Sequence, residues 1–217
     1  MNTLTVLLAI VFIAALARLV LSESKRKKDA DRVKNTTGWV IGPVVRGVNH
    51  SVGMPERPTM QGAGWYFDFP AAGGKVDYVQ WFDPPTLVGA KRIIVRYAVT
   101  GGGFTPFEYP DRPATVGVQF QRNGDNWSGG GKYQSYRWFS RQLLALQDGE
   151  FTLNVPLEMA AWGDVFGKSD NQAAFDAALK DMSNLAIVFG HASGGAGHGV
   201  FATEPSKFTL LGIEVLR

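Results

Sequence analysis

Ala114-Thr115-Val116-Gly117-Val118-Gln119-Phe120-Gln121 is the stretch on which the fold class turns. Val116, Val118 and Phe120 alternate with Gly117, Gln119 and Gln121. A period of two sends apolar side chains to one face of an extended strand and small or polar ones to the other. The pattern predicts a β-strand with one buried and one solvated face. β-Branched and aromatic residues suit such a pleated, half-buried surface.

The same texture recurs on either side. Segments 39–46, 64–69, 75–82, 91–100, 132–139, 150–155, 185–190 and 207–216 are rich in β-branched and aromatic residues and bounded by Gly, Pro, Asn or Asp. Ala72-Gly73-Gly74, Asn123-Gly124-Asp125-Asn126 and Asp148-Gly149 supply residues that tolerate the turn conformations between strands. One helix interrupts the series. Ser169 and Gln172 form a capping-box pattern, and Phe175, Leu179 and Met182 follow as an apolar stripe. A second helical turn is expected within 157–165. Many strands, one covering helix and no alternation of strand with helix predict an all-β fold, an antiparallel jelly-roll-like β-sandwich over 38–217.

The closing strands carry a resemblance. Leu185-Ala186-Ile187-Val188-Phe189-Gly190, Gly197-His198-Gly199-Val200 and Phe208-Thr209-Leu210-Leu211-Gly212-Ile213-Glu214-Val215 resemble the final strands of galactose-binding-like and carbohydrate-binding jelly-roll domains. The resemblance implies a sandwich that binds saccharides or protein partners.

Ahead of this domain, residues 4–21 form an apolar stretch of 18 residues with one charge, Arg18. That length is near the lower end of the ~17–25 residues of a spanning helix. Lys25, Arg26, Lys27 and Lys28 follow, with Arg32 and Lys34 behind them. An uncleaved transmembrane anchor over 1–22 and a basic juxtamembrane linker over 23–37 are expected. A cleaved signal is the lesser reading, because the cations lie on the wrong side of the apolar stretch. The Lys/Arg asymmetry places the β-domain on the cytoplasmic side of a bacterial-type inner membrane, with export as the alternative.

The formal charge of +3 is a property of that leader. Residues 1–37 hold seven Lys/Arg and three Asp/Glu, leaving 15 and 16 for the rest. The domain is near neutral, which argues against nucleic acid and assigns Arg18, Lys25, Arg26, Lys27 and Lys28 to anionic lipid headgroups. No Cys is present, so thiol nucleophiles, disulfides and zinc-thiolate sites are excluded.

Candidate contacts are aromatic. Trp65, Tyr66, Trp81, Trp127, Tyr133, Tyr136 and Trp138 are either core rings or stacking platforms. Trp127, in a glycine-rich turn, is the best candidate for ligand or partner contact, with Tyr136 and Trp138 beside it on the expected 132–139 strand. The segment 190–199 holds His191 and His198 among glycines, but it runs toward a strand and contains no carboxylate, which favours a connection over a phosphate or metal site. Asp111, Asn123, Asp125 and Asn126 offer oxygen ligands for calcium, but Asn123-Gly124-Asp125-Asn126 reads better as a hairpin turn. Glu108, Glu150 and Glu214 are the carboxylates available for a glycosidase pair, which the sequence alone does not bring together.

No catalytic residue, cofactor or metal is assigned. The function expected first is a non-catalytic, membrane-anchored accessory subunit that binds other membrane protein subunits. The alternative is a carbohydrate-binding module at the cell envelope, with polysaccharide as its partner.

Overall fold

A computed structural model describes residues 38–217. The expected anchor and linker, with Arg18, Lys25, Arg26, Lys27 and Lys28, lie outside the described residues. Among the described residues no helix is long and apolar enough to cross a membrane.

The strands are β1 (Trp39–Gly42), β2 (Val44–Val45), β3 (Val48–Asn49), β4 (Thr59–Gln61), β5 (Gly64–Asp68) and β6 (Tyr78–Trp81). They continue as β7 (Arg92–Thr100), β8 (Phe104–Pro106), β9 (Ala114–Arg122), β10 (Arg137–Ser140) and β11 (Leu144–Ala145). The last are β12 (Gly149–Pro156), β13 (Trp162–Gly163), β14 (Met182–His191), β15 (Val200–Ala202) and β16 (Lys207–Leu216). A seven-stranded sheet runs β1-β6-β14-β9-β10-β13, with β11 also on β9, and a five-stranded sheet runs β12-β7-β16-β5-β4. Their pairings are all antiparallel. The chain is a mostly-β, two-sheet sandwich, an architecture compatible with a jelly roll.

The core follows from strand parity. Val79 and Trp81 of β6, Leu185, Ile187 and Phe189 of β14, and Val116, Val118 and Phe120 of β9 are buried on one side of the larger sheet. Trp65 and Phe67 of β5, Val95 and Tyr97 of β7, and Phe208 of β16 join them in one apolar cluster. Rings lock the layers together: Trp39 meets Trp65 edge-on at 5.1 Å, and Phe189 meets Phe67 and Phe208 at 5.5 and 5.2 Å. Edge-to-face pairs add about 0.5–1.5 kcal/mol to the area buried.

Three expectations are corrected. The 132–139 strand is replaced by a 3-10 turn, Gly131–Ser135, and the short β10. The residue that caps the helix Gln172–Lys180 is Asn171, whose side chain accepts from Ala174 N at 3.0 Å. Ser169 instead hydrogen-bonds Trp162 O, and Met182 begins β14 rather than extending the helical stripe. The third concerns β9, whose second face is also buried: Gln119 is fully enclosed and Gln121 is only 5% exposed. Alternation reports which side chains share a face, but it does not show what later covers that face.

The helix plugs the core through Phe175, which is 1% exposed and meets Phe120 at 5.5 Å and Trp138 at 5.1 Å. Removing that ring leaves a cavity among aromatics that cannot collapse. Phe175→Ala is expected to lower unfolding stability by about 3–5 kcal/mol in chemical denaturation; a loss under about 1 kcal/mol would show that the helix is not part of the core.

Candidate functional site

The covered second face of the larger sheet is where the functional groups gather. Antiparallel register puts Tyr78, Val188 and Gly117 in one row across the sheet. Gln80, Ala186, Gln119 and Phe139 form the next row, and Asn184, Gln121 and Arg137 the third. Small residues at Gly117 and Ala186 keep the middle of this face low. Trp127, Phe139 and Ala196 pack on Tyr78, Ala186 and Val188 as a second, smaller apolar cluster.

Trp127 reaches the sheet because its loop is clamped there. Asp125 Oδ1 accepts from Trp127 N at 3.1 Å, and Asp125 Oδ2 accepts from Gln121 Nε2 at 2.8 Å. Arg137 Nε lies 2.9 Å from the same Oδ2, held by charge rather than by an aligned hydrogen bond. A second guanidinium nitrogen donates to Trp127 O at 3.1 Å, while the guanidinium carbon sits 4.8 Å from the centre of the indole. Trp127 has φ of 66°, a left-handed conformation that costs an L-residue roughly 1–2 kcal/mol. The contacts around Arg137 hold it in place. The indole meets Tyr78 edge-on at 5.7 Å and is half-buried.

Beside Trp127 lies a cleft of about 800 Å³. Tyr78 and Phe139 line it from the sheet, and Lys75, Asp77, Glu108 and His198 line one end. A built turn frames the other. Asp164 Oδ1 accepts from Phe166 N and Lys168 N, each at 2.9 Å, and Arg141 donates to Gly167 O at 2.7 Å. This turn holds the Phe166 ring 63% exposed at the rim.

The polar end is a pair of pairs. Lys75 Nζ is 2.9 Å from Asp77 Oδ2, and His198 Nδ1 is 2.7 Å from Glu108 Oε2. Asp77 is 3% exposed and its Oδ1 has no hydrogen-bond partner. The glycine-rich segment presses against it: a Cβ on Gly199 would stand 2.4 Å from that oxygen, and one on Gly197 would stand 2.3 Å from the Tyr78 hydroxyl. Both glycines also have positive φ. Burial drives the Asp77 carboxyl up to about 6, against the opposing pull of Lys75's hydrogen bond and charge. Burial likewise pushes the Tyr78 hydroxyl well above the ordinary phenol range, with the Arg137 charge opposing it.

The residues singled out from sequence separate here. Trp127 is at the site. Tyr136 is half-buried and stacks under Arg122, 5.0 Å from the guanidinium carbon, outside the cleft lining. Trp138 is corrected: at 1% exposure it fills the core against Phe175, its Nε1 donating to Ser135 O, so it presents no surface. Trp65 and Trp81 are core rings as well. His191 is buried at the end of β14, while His198 lies in the cleft. Among the described residues no cluster of three metal-ligating side chains occurs, and both Asp125 oxygens are already engaged. Of the three glutamates only Glu108 is in the cleft; Glu150 and Glu214 are on the five-stranded sheet.

Lys75, Asp77, Phe139 and Phe166 were missed. Asp77 shares the core parity of Val79 and Trp81, an odd place for a carboxylate, and Asp164-Val165-Phe166-Gly167 has the composition of an Asp-initiated turn. No protein-family model and no curated protein matches the chain.

Asp77 makes stability pH-dependent. Its folded value, about 6, lies above the unfolded 3.8, so the folded state binds the proton more tightly. The associated stability is fully present below 3.8 and lost as pH rises through about 6, an effect of about 3 kcal/mol. Asp77→Asn is therefore expected to gain stability relative to the parent between pH 4 and pH 7 in pH-resolved urea unfolding; a constant difference across that range would contradict the assignment.

Proposed function

We propose that this protein is a non-catalytic carbohydrate-binding module of the galactose-binding-like jelly-roll type, tethered to a membrane by residues 4–21. The observation that carries this reading is the cleft itself. Its accessible rings, Trp127, Phe139 and Phe166, share the cleft with Lys75, Glu108 and His198 at its polar end. A saccharide offers apolar C–H faces and a fringe of hydroxyls. Aromatic rings cover the first at low entropic cost, and charged or imidazole groups hydrogen-bond the second. The volume of about 800 Å³ lies within the range of small-ligand pockets, ~300–1,000 Å³.

The reading favours binding over hydrolysis. Asp77 and Glu108 are both tied to cations or imidazole, and Asp77's free oxygen is sealed under Gly199. A buried, covered carboxylate shapes and charges the site without reaching a glycosidic oxygen.

A saccharide ligand places the domain on the exported side of the membrane, against the orientation that the cations after Leu21 favour. A carboxyl-terminal reporter fusion active only outside the cytoplasm supports the module. A cytoplasmic reporter, with stoichiometric partner polypeptides recovered from mild detergent, supports the accessory-subunit alternative.

Phe166 tests the cleft most cleanly, because its exposed ring contributes little to the core. Native electrophoresis of the full chain through gels containing soluble polysaccharides is expected to show retardation by at least one of them. Phe166→Ala is expected to weaken that retardation about tenfold while changing stability by less than about 0.5 kcal/mol. Retardation unaffected by Phe166→Ala and by Trp127→Ala would remove the cleft from the account.

A further inference from the structure

A second depression, of about 170 Å³, lies on the same sheet face beyond Trp127. Val40, Gln80, Phe82, Asp125 and Asn184 line it, and Trp127 lines both hollows. The indole is therefore the partition between them. Tyr78 belongs to the large cleft and Gln80 to the small one. These two sit on the same face of β6, two residues apart, which at strand rise is about 6.6 Å.

Two features of the small hollow are unused by the fold. Phe82 is 51% exposed just past the end of β6, where its backbone is held by Gly38 O at 3.1 Å. Asn184 is 2% exposed; its Nδ2 donates to Gln121 Oε1 at 2.9 Å, while its Oδ1 has no partner. A buried acceptor left unpaired costs about 1–3 kcal/mol. A hydroxyl brought in by a ligand offsets that cost. The hollow thus has in miniature what the cleft has, an open ring beside a hydrogen-bonding group.

We propose that the binding face crosses Trp127, and that the ligand is an extended saccharide chain seated in both hollows rather than a single sugar. Phe82 is the platform of the outer subsite, Trp127 the ring over which the chain passes, and Asn184 the acceptor that the outer residue satisfies. One part of the chain lies in the large cleft and the next in the small hollow, on either side of the indole. The strained, clamped conformation of Trp127 has a purpose on this view: it holds the indole upright between two binding positions. This inference rests on the saccharide reading of the cleft.

The test is a length series. The full chain in mild detergent is titrated calorimetrically with cello-, xylo- and chito-oligosaccharides from monosaccharide to hexasaccharide. In the series that binds, affinity is expected to rise about tenfold or more with length and then level off. Phe82→Ala is expected to abolish the rise while leaving the affinity for the shortest binding member unchanged. Val44→Trp, which narrows the same hollow from its exposed rim, is expected to do the same without deleting any buried group. Binding that is equal at all lengths, or a length effect that survives both substitutions, overturns the two-hollow face and leaves the cleft reading standing. Absence of binding at every length in all three series, together with no retardation in the polysaccharide gels, overturns both.

Discussion

The ion pair between Arg137 and Asp125 is the interaction on which the functional face depends. The two side chains are 10% and 1% exposed, so neither charge is solvated without the other. Breaking such a pair by removing one partner typically costs about 3–5 kcal/mol, because the survivor stays buried and uncompensated. Here the pair also has a mechanical role. Asp125 is in the loop and Arg137 is on the sheet, so their contact fastens the loop to the sheet, and the indole of Trp127 is carried down with it. Without that fastening the outer face would lose the indole that partitions it and the side of the cleft that the indole forms.

The face so built is unusual in being enclosed and polar at once. Gln80, Gln119, Gln121 and Asn184 are all nearly or fully buried on it, and both side-chain amide atoms of Gln119 lack partners. A stable sandwich has no need of this. The core side of the same strands is filled mainly by aliphatic and aromatic groups, and a second apolar layer would bury the outer side more favourably. Retained polar groups, a ring held at φ of 66° and an exposed phenylalanine on a rigid turn all lie on one face. They belong together if that face receives a ligand carrying both hydroxyls and apolar patches.

The architecture was largely readable from residue order because strand parity is local. Val116, Val118 and Phe120 point into the core as their spacing implies, and the bounds of β16 fall where the residue pattern placed them. The site was much less readable. Trp127 announced itself as a ring among glycines, but the partner that fixes it, Arg137, is ten residues away and joined through a charge pair that spacing does not reveal. The 132–139 segment misled because its aromatics mimic strand texture. Gly131–Ser135 instead turns tightly, and only then does β10 begin, with Trp138 sent inward. Glu108 and His198 meet across 90 residues of sequence, which no local pattern encodes.

The chain offers its own reporter for the central claim that the face beside Trp127 binds saccharide. Of its six tryptophans, Trp39, Trp65, Trp81, Trp138 and Trp162 are at most 3% exposed, so Trp127 is the one that a solute can approach. Iodide quenching of intrinsic fluorescence, measured on the full chain with and without the polysaccharide that retards it, isolates this residue. The account predicts a quenchable fraction that is absent in Trp127→Phe and that saturating polysaccharide protects. Saturable binding with the quenching of Trp127 unchanged would contradict it.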